Sequence, residues 1–262
     1  MNVGAALVTG AAKRLGRAMA LDLAKQGWAV GIHFNGSAAD ADATVEEALS
    51  LGAPAAVSLQ ADLLDETQST PLVDRAAEAL GQPLTLLVNN ASIFENDSIE
   101  TASRKSWDRH VESNLRAPFV LTQRFAEQCP DMRVVDGEPL ASGLVVNMLD
   151  QRVHKLTPMF MSYTIAKMGL WAFTRTAAQA LGPRIRVNGI GPGPTMANDR
   201  QTDDHFLRQR AATILQRGAD ASDICAALRY FIDARSVTGQ MISVDGGQHL
   251  IWQTPDIIGL SE

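Results

Sequence analysis

Two side chains in this chain have the types and spacing of a proton-transfer pair. Tyr163 and Lys167 lie four positions apart, which on a helix places both on one face, one turn from each other. A free phenol ionises near pH 10, so it rarely carries charge at neutral pH. An ammonium about 4 Å away would favour phenolate by about 4 kcal/mol at an effective dielectric of about 20. The pair therefore predicts a Tyr163 whose pKa is lowered by Lys167, exchanging a proton with a group that gains or loses hydride. A third group stands thirteen positions earlier: Asp150, in Asn147-Met148-Leu149-Asp150. A carboxylate there would repel a carbonyl oxygen and attract N–H donors, or, once protonated, deliver a proton to a ring nitrogen.

Hydride needs a carrier, and a second set of residues suits a dinucleotide. Thr9-Gly10-Ala11-Ala12-Lys13-Arg14-Leu15-Gly16 joins an apolar strand-length run to a helix-period segment. Small residues let the backbone approach a pyrophosphate, and the following helix N-terminus offers unpaired amides and positive dipole. Arg14 stands where the central glycine of such turns is usual. At the end of the next strand an acid would hold a ribose 2′-hydroxyl and repel a 2′-phosphate. Here the residues are His33-Phe34-Asn35-Gly36-Ser37, with no acid, while Lys13, Arg14 and Arg17 supply cations. NADPH is thus expected over NADH, with Asp40 and Asp42 solvated on the next helix.

The elements that must position these groups follow an alternating rhythm. Strands are expected at 5–9, 29–34, 55–60, 84–88, 144–147, 186–190 and 241–244, and helices at 15–26, 38–51, 67–80, 107–128 and 161–181. Alternation of this kind predicts a parallel sheet with crossover helices. No linker or repeat divides the 262 residues, so one α/β doubly wound domain spanning 1–262 is expected. The segment 129–142 reads as a surface loop. The stretch around 192–210 follows a strand end, where ligands bind in such sheets, and is expected to be a mobile substrate lid.

Taken together, these residues resemble the short-chain dehydrogenase/reductase family over essentially the whole chain. The resemblance implies a Rossmann-type, seven-stranded parallel sheet. It also implies a cofactor crevice formed by Gly10, Lys13, Arg14, Leu15 and Gly16, by His33, Asn35 and Ser37, and by Asp62 and Leu63 after the third strand. Asn89 and Ala91 of Asn89-Asn90-Ala91, Tyr163, Lys167, and Pro192 and Gly193 of Gly191-Pro192-Gly193 complete it. It assigns Asn114 to the orientation of a water beside Lys167, and Lys167 to the nicotinamide ribose. Most members carry serine where Asp150 stands. That departure, with Thr9–Arg17 and Asn89–Phe94 (NNASIF), resembles the pteridine reductases, implying reduction of a pterin or folate-like ring with Tyr163 as proton donor. Ser92, Phe94, Asp150 and Tyr163 would then meet the substrate, Phe94 by stacking on its ring. Gly36 departs from that subgroup, which often has arginine there. Two other readings stand beside this one: reduction of another small carbonyl such as a 3-oxoacyl thioester or a sugar, and a non-catalytic nucleotide sensor on the same fold.

Composition bounds the remaining classes. A net charge of −6 argues against a nucleic-acid partner, which needs a concentrated basic surface. Cys129 and Cys225 have neither disulfide nor metal spacing and are expected to be inert. His110, His154, His205 and His249 lack zinc spacing, so no metal is expected. No leader or membrane-length apolar stretch is seen, and a cytoplasmic location is expected. Family resemblance implies a homo-oligomer, tetramer or dimer, packed through the 107–128 and 161–181 helices, with the apolar tail 251–262 at an interface.

Overall fold

The computed structural model describes residues 3–196 and 202–253. The main sheet holds seven parallel strands: β1 (Ala5–Val8), β2 (Ala29–Phe34), β3 (Ala56–Gln60), β4 (Leu86–Asn89), β7 (Gly143–Met148), β8 (Ile185–Pro192) and β9 (Met241–Val244). Their spatial order is β3-β2-β1-β4-β7-β8-β9. β1, β4 and β7 are buried along their whole length, as strands covered on both faces must be. Side chains alternate faces along each strand. Ala6 and Val8 join a core with α1 (Arg14–Lys25), α2 (Ala38–Ser50) and α9 (Ala221–Asp233). Ala5 and Leu7 face the opposite layer, with α4 (Leu72–Leu80), α6 (Ala117–Gln128) and α7 (Met161–Leu181). Chain order reverses between β1 and β4, which opens a crevice at the carboxyl ends of these strands.

Several boundaries differ from expectation, each for a local reason. The 67–80 helix is split into α3 (Glu66–Ser69) and α4: Pro71 lacks an N–H and disfavours helix in the residue before it. The 107–128 helix begins earlier, as α5 (Arg104–Val111), behind a Ser103–Ser106 capping box. It then loosens into a π-helical stretch, Glu112–Arg116, before α6. The 129–142 segment carries an exposed hairpin of β5 (Arg133–Val135) and β6 (Glu138–Leu140). Two helices were not expected, α8 (Asp203–Ala211) and α9. The signal for α9 was present: an Asp220–Asp223 capping box followed by buried Ile224, Cys225, Ala227, Leu228 and Phe231 at helical spacing. Of the expected lid, 197–201 lies outside the described residues, as does 254–262 of the tail.

Both thiols are buried, and burial pushes Cys129 and Cys225 up to about 11, which keeps them unreactive. Among the described residues, no helix is long and apolar enough to cross a membrane.

Candidate active site

Two adjoining cavities occupy the crevice, of about 550 and 500 Å³. The first runs over the β1–α1 turn and is walled by Gly10, Lys13, Arg14, Leu15, Gly16, His33, Asn35, Asp62, Leu63 and Ala91. A Cβ on Gly16 would lie 2.2 Å from the Gly10 carbonyl oxygen, so only glycine permits this close turn. Arg14 sits at φ +54°, the left-handed region that glycine enters at least cost. It thus keeps the backbone of the absent central glycine while adding a cation that borders both cavities. The N-terminus of α1 has no side-chain cap and no acid in its first turn, leaving amides for an anion. His33 braces this turn from below: Nδ1 accepts from Gly10 N–H at 3.0 Å and Nε2 donates to the Ala61 carbonyl at 3.0 Å. Burial lowers the His33 pKa to about 4, so the ring is neutral and its tautomer is set by these two bonds.

The end of β4 is tied to the same turn. Asn90 Nδ2 donates to the carbonyls of Thr9 at 2.7 Å and Gly10 at 3.2 Å, and Thr9 Oγ1 accepts from the N–H groups of Asn90 and Ala91. Asn89 points elsewhere. It is buried beneath the crevice, donating to Asn147 Oδ1 at 2.8 Å, while Asn147 donates to Thr174 Oγ1 at 2.9 Å. These amides pin β4, β7 and α7 together, and Asn89 borders neither cavity. Asn114, on the π-helical turn, uses both ends of its amide on Ile93, donating to its carbonyl at 2.8 Å and accepting from its N–H at 3.2 Å. Its side chain thereby holds the Ser92–Phe94 strand end.

Tyr163, Asp150 and Lys167 meet in the second cavity. The Tyr163 hydroxyl donates to Asp150 Oδ2 at 2.8 Å, and Asp150 Oδ1 accepts from the Arg152 N–H at 2.8 Å. Lys167 Nζ donates to the Met148 carbonyl at 2.7 Å and lies 5.7 Å from the phenol ring centre. Burial, the Asp150 charge and the bond to Asp150 hold Tyr163 well above its ordinary value. The shift is opposite to the lowering expected from Lys167, because burial and the Asp150 carboxylate outweigh the opposing Arg152 charge and Ser92 hydrogen bond. Burial also raises Asp150 and lowers Lys167 to about 8, against the upward pull of Asp150. The phenol is thus a firmly protonated donor with an acceptor behind it, suited to giving a proton to a reduced heteroatom.

An aromatic wall completes the cavity. Phe94 and Phe160 stack with ring centres 4.3 Å apart and planes within 8°, and Phe94 meets the Tyr163 ring edge-on at 4.7 Å. Phe160 holds φ +58° at the entrance to α7. Behind it a buried chain fixes the helix start: Glu95 N–H donates to His110 Nε2 at 3.1 Å, which leaves Nδ1 to donate to Ser162 Oγ at 2.7 Å, and Ser162 donates to Asp97. Gln151 Oε1, in the cavity wall, is buried with no hydrogen-bond partner among the described residues. Among those residues no group of acidic, His or Cys side chains is arranged to hold a metal ion.

A family model described as enoyl-(acyl carrier protein) reductase matches residues 10–249. The chain belongs to the short-chain dehydrogenase/reductase family. Among solved members, FolM alternative dihydrofolate reductase 1 from Brucella suis, in complex with NADP, is 43% identical with a TM-score of 0.90, over 97% of this chain and 98% of that one. Pteridine reductase 1 of Leishmania tarentolae is 33% identical over 94% of this chain and 96% of its own length. The 3-oxoacyl-[acyl-carrier-protein] reductase FabG of Staphylococcus aureus is 29% identical over 94% and 98%.

Against that family background, the crevice gathers most residues expected from the sequence. Gly10, Lys13, Arg14, Leu15, Gly16, His33, Asn35, Asp62, Leu63 and Ala91 border the first cavity, and Phe94, Asp150, Tyr163, Lys167, Pro192 and Gly193 border the second, with Ser92 on both. Asn89 and Asn114 act from outside it, and Ser37 borders neither cavity. Arg17 is taken by an ion pair with Glu47. Asp40 and Asp42 are exposed on α2, where Asp40 pairs with Lys13 at 2.9 Å and Asp42 accepts from Ser58 at 2.8 Å. Sequence reasoning missed Asn90, Gln151, Arg152 and Phe160. Asn90 lay inside the quoted motif, whereas nothing in the local spacing distinguishes Arg152 or Phe160 from surface residues.

Proposed function

We propose that the chain is an NADPH-dependent reductase of a pteridine ring, either a dihydropterin or a folate-like substrate. The observation that carries this reading is the 2.8 Å bond from Tyr163 to a buried carboxylate, Asp150, in the place where the family's usual serine would donate to a carbonyl. Asp150 and Gln151 offer acceptors to the amino and ring N–H groups of a pterin, and Phe94 offers an aromatic face. One face of Phe94 is taken by Phe160, so a flat ring uses the other face or displaces Phe160. The uncapped start of α1, the Gly16 approach and the acid-free β2 end fit a dinucleotide with a 2′-phosphate, held near Lys13, Arg14 and Asn35. The NADP complex of the FolM relative points the same way.

Bound along Gly10, Arg14 and Gly16, NADPH would supply hydride for the carbon end of a C=N bond. Tyr163 supplies the proton to the nitrogen end, and its O–H bond breaks as the N–H bond forms. Asp150 holds the phenol oxygen in place, and a proton from solvent restores the phenol after transfer. Lys167, fixed on the Met148 carbonyl, contributes positive charge beneath the phenol and is placed for the cofactor ribose. The same reading includes a cytoplasmic enzyme whose copies pair through α6 and α7, where Phe119, Ala126, Phe173, Ala177 and Leu181 line an apolar groove. It also includes 192–210 as a substrate lid.

Following NADPH absorbance with dihydrobiopterin, dihydrofolate and an acetoacetyl thioester tests it. Oxidation is expected with a pteridine and little with the thioester. Thioester turnover with none on pteridines would favour the activity named for the FabG relative, and binding of NADPH without any turnover would favour a sensor.

A further inference from the structure

Arg152 is a cation in the wall of the substrate cavity, close enough for its charge to lower Asp150 and to oppose the rise in Tyr163. It follows Asp150 on the short 3-10 turn Gln151–Val153, and its guanidinium lies 4.9 Å from the Phe160 ring centre and 5.9 Å from that of Phe94. One of its donors reaches Thr157 Oγ1 at 2.7 Å. Other arginines of the fold end on carboxylates: Arg109 on Glu95, Arg116 on Glu66, Arg229 on Asp22. Arg152 ends on none among the described residues, although it is half-buried and borders the cavity. Its exposed neighbours Leu156 and Thr157 put it at the solvent edge, so the ring's reacting end at Tyr163 and the guanidinium bracket the space a substrate fills. A guanidinium over an aromatic ring keeps its charge and its remaining N–H donors, which suit a carboxylate.

We propose that Arg152 selects substrates whose side chain carries a carboxylate, so that among pteridines the enzyme prefers the folate type over pterins with neutral side chains. The inference rests on the pteridine reading and narrows it. The aromatic pair beneath the guanidinium adds a surface for the aryl ring that links a folate pteridine to its carboxylate.

The test compares kcat/KM for dihydrofolate and dihydrobiopterin in the wild type, Arg152→Met and Arg152→Lys, at low and high ionic strength. Losing a charge-assisted hydrogen bond is expected to lower the dihydrofolate-to-dihydrobiopterin ratio about tenfold or more in Arg152→Met, mainly through KM. Lysine should recover part of it. Salt should raise the wild-type KM for dihydrofolate and leave that of Arg152→Met unmoved. A ratio left unchanged by both substitutions, including the case in which kcat/KM falls equally for the two substrates, overturns the role of Arg152 while leaving pteridine reduction standing. A wild type that reduces neither pteridine removes both.

Discussion

Acid should loosen the cofactor turn through one residue, His33. The folded ring titrates at about 4 and is only 2% exposed, whereas a free histidine titrates near 6.5. A depressed folded pKa means that its contribution is fully present above pH 6.5 and is lost as pH falls towards 4. Moving a histidine over that span is worth about 3 kcal/mol, which is large against the usual 5–15 kcal/mol of a folded domain. Replacing it by Phe keeps a flat ring and removes both nitrogens. At neutral pH, His33→Phe then strands the Gly10 N–H and the Ala61 carbonyl, a loss of about 1–3 kcal/mol. Near pH 4.5 the wild type has itself lost roughly 2–3 kcal/mol through protonation, so the gap between the two proteins should close or reverse. Urea unfolding of both proteins at a series of pH values reads this directly. NADPH affinity in the wild type should hold through this range and fall only as pH approaches 4, where the folded ring itself takes a proton and releases Gly10. Parallel stability curves for the two proteins between pH 7 and 4.5 would refute the assignment of His33 as the acid-labile brace.

Other consequences can be checked alongside. Asp150→Ser should shift preference from pteridines towards carbonyls, and, because the Asp150 charge holds Tyr163 up, the alkaline limb of the pH–rate profile should move to lower pH; an unmoved limb would contradict the pairing. Arg14→Gly retains φ +54° without a Cβ, so NADPH affinity should fall about tenfold or more relative to NADH while stability holds or rises. Gly16→Ala forces a Cβ against the Gly10 carbonyl and Asn90, and should cost about 1–3 kcal/mol in stability and weaken both nicotinamide cofactors.

The architecture was legible because strand-length apolar runs and helical periods are properties of short windows. α9 carried the same signals, in the Asp220–Asp223 capping box and the apolar spacing from Ile224 to Phe231, yet was not among the expected helices. The π-helical turn around Asn114 has no sequence signature, since its extra residue per turn is imposed by packing against α7. The sign of the Tyr163 shift was misjudged for a physical reason: an i, i+4 ammonium can be counted from sequence, but the desolvation of three buried ionisable groups cannot. The side-chain bonds of Asn89 to Asn147 and of Asn114 to Ile93 were not legible, because a motif gives position along the chain and not the direction of an amide. Arg152 and Phe160 owe their place to the path of a loop over the end of β7.

The proton donor is the centre of the account, and Tyr163→Phe examines it with one hydroxyl removed. Single-turnover oxidation of bound NADPH by a dihydropteridine should slow at least about a hundredfold, while the dissociation constant for NADPH stays nearly unchanged. Rapid turnover by this variant, or equal loss of cofactor binding, would contradict the assignment of Tyr163 as the acid.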